Sequence, residues 1–160
     1  MNEKVLIIGA GHGLSTSIAR LFAAKGMKVG LAARNIEKLA ALADEIGAST
    51  FTCDASDPDA VVELFKAFST DIGCPDILVY NPSSRVRGPI TVIDAAATKD
   101  AILVSAYGAF LAAQQAAIRM LKAGSGTMLF TGASAGVKGY PRSASFAMGK
   151  FALRGLCQSL

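Results

Sequence analysis

Short apolar runs rich in β-branched residues alternate along the chain with longer stretches whose apolar residues recur every three or four positions. That alternation is the signature of strand–helix units repeated around a parallel sheet. Five strands are predicted, at Lys4–Ile8, Lys28–Ala33, Ser49–Cys53, Asp76–Tyr80 and Thr127–Thr131. The helix after the first strand turns Ile18, Leu21 and Phe22 inwards. After the second strand Ile36, Leu39, Leu42 and Ile46 share one helix face, opposite Glu37, Lys38, Asp44 and Glu45, and Gly47 ends the run. Asp57 and Pro58 suit the N-cap and first turn of a helix whose apolar face is Val61, Leu64, Phe65 and Phe68. A longer helix is expected from about Thr98 to Lys122 and a last one from about Ser143 to the end, with Phe146, Leu153, Leu156 and Leu160 at helical spacing. The fold class is α/β, a doubly wound parallel sheet in three layers. Neither repeats, low-complexity segments nor a linker divide residues 1–160, which read as a single domain.

Composition narrows this picture. The chain has 160 residues, 52% hydrophobic and 18% charged, which suits a globular domain and not a disordered tail. Sixteen glycines, no tryptophan and 7% aromatics suggest a core of small residues in which backbones pass close together. The net charge of +4 is spread over helices and loops without a Lys/Arg run, so nucleic-acid binding is not expected. The longest uncharged stretch, Ala101 to Ile118, is interrupted by Ser105, Tyr107, Gln114 and Gln115, so no transmembrane helix is expected. Met1-Asn2-Glu3-Lys4 leads directly into an apolar strand without a signal-peptide pattern, and a cytoplasmic protein is expected. Cys53, Cys74 and Cys157 are odd in number and widely spaced, so neither a disulfide framework nor a metal site is indicated. A parallel sheet with its fifth strand on an edge, in a chain that stops inside a helix, reads as part of a longer protein or a gene that has lost its C-terminal part.

The first loop carries candidate chemistry. Gly9-Ala10-Gly11-His12-Gly13-Leu14-Ser15 follows the first strand and opens a helix, so backbone N–H groups and the positive end of a helix dipole can meet a pyrophosphate. The spacing G-x-G-x-x-G fails, because its third glycine would be Leu14. Gly9-x3-Gly13-x-Ser15 instead resembles the G-x3-G-x-G loop of the short-chain dehydrogenases/reductases, with Ser15 in place of the third glycine, leaving less room for the helix to approach the strand. The resemblance covers essentially the whole chain and implies a Rossmann-like fold whose last strands are missing here.

It also implies a cofactor site. Arg34, after the second strand, stands where NAD-preferring members carry an acidic residue and looks like the arginine that binds the 2′-phosphate of NADP. His12 sits where NADP-dependent members often have a basic residue. NADP(H) is therefore expected over NAD(H), although by residue type alone Arg34 and His12 are equally a solvated charge and a surface loop residue. Asp54, followed by Ala55, resembles the aspartate that accepts from the adenine amino group. Asn81 matches the first residue of the family's loop after strand four, where Pro82 and Ser83 depart from it. Gly9, Gly11, Gly13, Leu14 and Lys150 complete the implied cofactor contacts.

The catalytic positions depart further. Phe146-Ala-Met-Gly-Lys150 occupies the place of the Tyr-x-x-x-Lys pair, Ala133 that of the serine thirteen residues earlier, and Ser105 that of the asparagine of the preceding helix. Lys150 alone is retained, against the plain alternative of an exposed helix lysine. Phenylalanine has no proton to give, and losing a general acid costs about 10²–10⁴ in rate. Three ways out remain: another donor (Tyr140, Ser134 or Ser145), a substrate needing less acid help, such as an imine, or cofactor binding without turnover. The resemblance implies a small-molecule carbonyl-type substrate, and a homodimer or homotetramer compatible with an apolar face of Phe110, Phe146, Phe151, Leu153 and Leu156.

A second motif competes. Gly132-Ala133-Ser134-Ala135-Gly136 spells the nucleophile elbow of serine hydrolases, but its continuation reads as loop, and the only histidine, His12, precedes it. Arg85, Arg87, Lys138 and Arg142 belong to two loops at the C-terminal end of the sheet, where an anionic substrate is one reading and solvated loop charge the more ordinary one.

Overall fold

The computed structural model describes residues 3–160; Met1 and Asn2, which open the stretch read for a signal peptide, lie outside them. Five parallel strands, β1 (Lys4–Ile8), β2 (Lys28–Ala33), β3 (Ser49–Thr52), β4 (Ile77–Tyr80) and β5 (Thr127–Phe130), lie in the order β3-β2-β1-β4-β5. β1 is central, with Leu6 in register with Gly30 on one side and Leu78 on the other. The chain reverses its winding direction between β3 and β4, which creates a crevice at the C-terminal ends of β1 and β4.

Six α-helices cover the sheet: α1 (Leu14–Ala24), α2 (Ala40–Ile46), α3 (Pro58–Asp71), α4 (Ala95–Ile102), α5 (Gly108–Ala123) and α6 (Ala144–Ser159). Alternation along β1 sends Val5 and Ile7 to a core shared with Ala19 of α1 and Leu42 of α2. Leu6 and Ile8 go to the opposite core, with Val61, Phe65 and Phe68 of α3, Ala112 and Ala116 of α5 and Leu153 of α6. These are the three layers the sequence predicts.

Several local expectations are corrected. Leu21 is 55% exposed: α1 instead turns Ser15 and Ala19, four residues apart, onto the sheet, with Ile18 and Phe22 half-buried beside them. The helix after β2 begins with a 3₁₀ turn, Glu37–Leu39, started by Asn35, whose Oδ1 accepts the Glu37 N–H at 3.0 Å. The long helix starts at Ala95 rather than about Thr98, because Asp94 caps it by accepting the Ala97 N–H at 2.6 Å. Leu160 lies outside α6 and is exposed.

The long helix is also interrupted. Leu103–Tyr107 winds as a π turn between α4 and α5. There Tyr80 Oη donates to the Val104 carbonyl at 2.6 Å, giving that carbonyl a partner from the sheet. Gly108 follows at a point of such close approach that a Cβ would overlap both the Ala55 carbonyl and Tyr80 Oη. By length and composition Ala95–Ala123 could cross a bilayer, contrary to expectation, but Ala101, Ala109, Ala112, Ala113 and Ala116 are buried in the protein interior. This is the central helix of its layer.

Candidate nucleotide and catalytic site

A cleft of about 410 Å³ opens over the C-terminal ends of β1–β4. Its walls come from four successive strand–loop junctions: Gly9 after β1, Arg34 after β2, Asp54 and Ala55 after β3, and Asn81 after β4. The fold thus brings together residues up to 72 positions apart in the chain.

The loop after β1 is shaped by two of its three glycines. Gly9 (φ 77°) and Gly13 (φ 94°) adopt the positive φ that side chains disfavour. Gly9 is also pressed against the next loop, since a Cβ there would lie 2.5 Å from the Pro82 nitrogen. Gly11 needs neither freedom, and its N–H donates to Ser15 Oγ at 3.0 Å while its carbonyl accepts from the same hydroxyl at 3.0 Å. Ser15, 2% exposed, thereby fastens the loop to α1 from the place of the third glycine. The Gly11 N–H is withdrawn from any ligand. Gly13 supplies no side-chain cap and the first turn of α1 has no acidic residue, which leaves its N–H end suited to an anion. Leu14 and His12 are exposed, and His12 borders a smaller recess between α1 and α2 instead of the main cleft.

At the far end of the cleft, Asp54 Oδ1 accepts from the Ser56 hydroxyl at 2.7 Å and the Ser56 N–H at 2.9 Å. These bonds hold its carboxyl below the usual range, helped by the nearby Arg34 guanidinium. Burial pushes the neighbouring Cys53 thiol up to about 11 and also raises the Tyr80 phenol.

Beyond the cleft, on α6, Lys150 is 3% exposed and its Nζ donates to the Thr131 carbonyl at 2.7 Å. It is not an exposed helix lysine. Burial lowers its pKa. Thr131 Oγ1 donates to Asn81 Oδ1 at 2.7 Å, and Asn81 Nδ2 donates to the Gly9 carbonyl at 3.4 Å, so a hydrogen-bonded chain runs from α6 to the glycine loop. Phe146 lies one turn before Lys150, its ring centroid 5.8 Å from Nζ. Ser105 is buried in the π turn, packed so tightly on α6 that a Cβ on Gly149 would lie 2.8 Å from its Cβ.

The whole arrangement has known counterparts. The short chain dehydrogenase family model matches residues 3–160. The chain belongs to the short-chain dehydrogenase/reductase family. An uncharacterised oxidoreductase of Mycobacterium tuberculosis (strain CDC 1551 / Oshkosh) is 29% identical over 166 residues, covering 99% of this chain and 66% of that protein. A short-chain dehydrogenase from Rhodopseudomonas palustris superposes with a TM-score of 0.92 at 32% identity, covering 99% of this chain and 77% of that one. A metagenomic short-chain oxidoreductase in complex with NADP superposes with a TM-score of 0.93 at 28% identity, over 98% of this chain and 74% of that one. The chain thus spans about two thirds of the length of the M. tuberculosis relative.

Short-chain dehydrogenases/reductases bind nicotinamide cofactors, and the cleft has polar groups to meet one in Arg34, Lys38, Asp54 and Asn81. Gly11, Gly13, Leu14 and Lys150 do not line it, and Lys150 lines with Ala133 a separate recess of about 200 Å³ between the end of β5 and α6. Ala133 is exposed and extended at the start of the β5–α6 loop. Ser134 follows in a 3₁₀ turn, and α6 begins only at Ala144, so the strand does not turn at once into a helix as a hydrolase elbow does. Ser145 is buried, with its hydroxyl donating to the Val86 carbonyl at 2.9 Å, which removes it from the proton donors considered above. Tyr140 is 40% exposed beneath Lys138, whose Nζ is 5.0 Å from its ring centroid. Sequence reasoning missed Lys38, which lines the cleft beside Arg34.

Proposed function

We propose that this short-chain dehydrogenase/reductase binds NADP(H) in the cleft and reduces a small carbonyl-type or imine-type substrate without a tyrosine proton donor. The observation that carries the cofactor choice is the pairing of Arg34 and Lys38 in one wall of the cleft, where among the described residues the only lining carboxylate is Asp54, after β3, already engaged by Ser56. Two cations favour a 2′-phosphate. In this reading Gly9, Gly13 and Leu14 bracket the pyrophosphate, Gly11 shapes the loop, and His12 adds positive character at its rim. Asp54 and Ala55 meet the adenine, while Asn81 and Lys150 meet the nicotinamide ribose. The metagenomic relative in complex with NADP is consistent with that choice.

Bound nicotinamide supplies a hydride to a carbonyl or imine carbon. Lys150 holds the ribose and contributes positive charge beside the reacting centre. Of the three donors weighed from the sequence, Tyr140 and Ser134 remain as candidates to deliver a proton. A second reading, a cofactor-binding or interaction module without turnover, is favoured by Phe146 and Ala133, which remove both hydroxyls the family uses.

The assembly proposed is a homodimer or homotetramer. Phe110 and Phe151 are 43% and 46% exposed on α5 and α6, whereas Leu153, also expected on that face, belongs to the core. Three free thiols fit a reducing, cytoplasmic setting.

The test is a fluorescence titration of the full chain with NADPH and NADH, beside Arg34→Ala and Lys38→Ala. Tighter NADPH binding, reduced to the NADH level by either substitution, is expected; binding of neither nucleotide overturns the reading. NADPH oxidation with a panel of ketones, enones and imines then separates an oxidoreductase from a silent module.

A further inference from the structure

Arg85 is the residue this reading leaves without a task. The sequence offers it, with Arg87, Lys138 and Arg142, either as a charge for an anionic substrate or as ordinary loop charge, and the backbone on both sides of it is fastened. Ser84 N–H donates to Ser105 Oγ at 3.5 Å, and Val86 is gripped twice by Ser145, its N–H donating to Oγ at 3.0 Å and its carbonyl accepting at 2.9 Å. Further along, the Gly88 N–H donates to the Arg142 carbonyl at 3.2 Å. A loop tied to the π turn and to the start of α6 holds its side chain in a defined place.

That place is the ring of Phe146. The Arg85 guanidinium carbon lies 3.8 Å from the ring centroid, and the Lys150 ammonium lies 5.8 Å from the same centroid. A guanidinium stacked on an aromatic face keeps its N–H donors pointing outward in its own plane. Among the described residues Arg85 makes no hydrogen bond and no ion pair, and no carboxylate pairs with Lys150. Two cations therefore flank one ring without a counter-charge. The bidentate fork of a guanidinium matches the two oxygens of a carboxylate.

We propose that Arg85, stacked on Phe146, is a recognition site for a carboxylate carried by the substrate next to its reacting carbon, making 2-oxo acids or their imines the substrate class. The placement of that carboxylate beside the reacting carbon rests on the function proposed above; the anion site itself does not. Phenylalanine suits the platform, because its ring offers no hydroxyl to compete for the incoming oxygens. Ser105 and Ser145 act as positioning residues, through the loop that carries Arg85.

The experiment is calorimetric titration of the full chain with phenylpyruvate and with its methyl ester, which lacks the charge, in the presence and absence of NADPH. We expect the acid to bind at least about tenfold more tightly than the ester. Arg85→Gln should bring the two within about twofold, and Arg85→Lys should restore only part of the difference, since it keeps the charge and loses the fork. NADPH affinity, measured on the same samples, stays unchanged in both variants and reports that they are folded. Equal binding of acid and ester, or a preference that survives Arg85→Gln, overturns the proposal. So does inorganic phosphate competing as strongly as phenylpyruvate. An Arg85-dependent preference in a protein that binds no NADPH supports the anion site and overturns the oxidoreductase reading instead.

Discussion

The ammonium of Lys150 and the main-chain carbonyl of Thr131 lie 2.7 Å apart, and among the described residues this is the lysine's one hydrogen bond. An ammonium has three donors, so two are left without a protein partner in a site that is 3% exposed. The charge is therefore held at a cost to stability, which burial registers as a lowered pKa. Above that lowered pKa the folded lysine is neutral while the unfolded chain stays protonated up to its ordinary 10.5. Across that window the unfolded state binds more protons, so this residue's contribution to stability rises with pH.

Lys150→Met should consequently leave stability at pH 7 unchanged or raise it by about 1 kcal/mol, because an unpaired buried charge is replaced by an apolar chain. It should also flatten the rise in stability between neutral and alkaline pH. Urea unfolding at a series of pH values checks both, and a loss above about 2 kcal/mol would show that the lysine is a structural strut. The same variant should bind NADPH about tenfold more weakly, as expected for one charge-assisted hydrogen bond.

The three thiols should separate by reactivity. Cys74 and Cys157 are exposed and Cys53 is buried, its thiol pushed up to about 11. In native protein at pH 8 a disulfide reagent should modify Cys74 readily and Cys157 more slowly, since burial raises the latter's pKa too. Cys53 should react only after denaturation. Rapid native labelling of Cys53, read by mass spectrometry, would contradict the packing at the β3 end of the cleft.

Two glycine substitutions should have opposite signs. Gly108→Ala drives a methyl into the Ala55 carbonyl and Tyr80 Oη and should cost about 1–3 kcal/mol. Gly155→Ala, inside α6 with nothing near its added Cβ, should stabilise by about 0.5–1 kcal/mol. Chemical denaturation of both variants reads the difference directly.

Tyr80→Phe removes the donor to Val104 in the π turn. A loss of about 1 kcal/mol is expected, with faster amide exchange in Leu103–Tyr107 and little change elsewhere. Uniform exchange changes would mean that the tyrosine supports the core and not that turn.

The strands were legible because each is a short apolar run between polar segments, and the observed ends differ by at most one residue, as with β3 ending at Thr52. α3 was legible from Asp57 and Pro58, since Asp57 Oδ1 accepts the Asp59 and Ala60 N–H groups. The π turn was not, because its cause is Tyr80, 24 residues away in sequence. For the same reason Leu21 looks buried by periodicity, whereas the sheet contact falls on the small Ser15 and Ala19. Of the residues picked out by motif position, Gly9, Arg34, Asp54, Ala55 and Asn81 do line one cleft, because each follows a neighbouring parallel strand. Arg85 was legible only as one of four loop cations, because the ring on which it rests lies 61 positions later in the chain.

The contact between Gly9 and Pro82 has a thermodynamic side. Pro82 atoms fill the space where a Gly9 side chain would stand, and Asn81 reaches the Gly9 carbonyl at 3.4 Å. The glycine loop after β1, proposed to meet a nucleotide, and the loop that carries Arg85 therefore cannot settle independently. Ordering one favours the other, and linkage makes the effect mutual: whatever factor nucleotide adds to carboxylate affinity, carboxylate must return to nucleotide affinity. An enzyme built this way would show synergy between its two ligands before any chemistry took place.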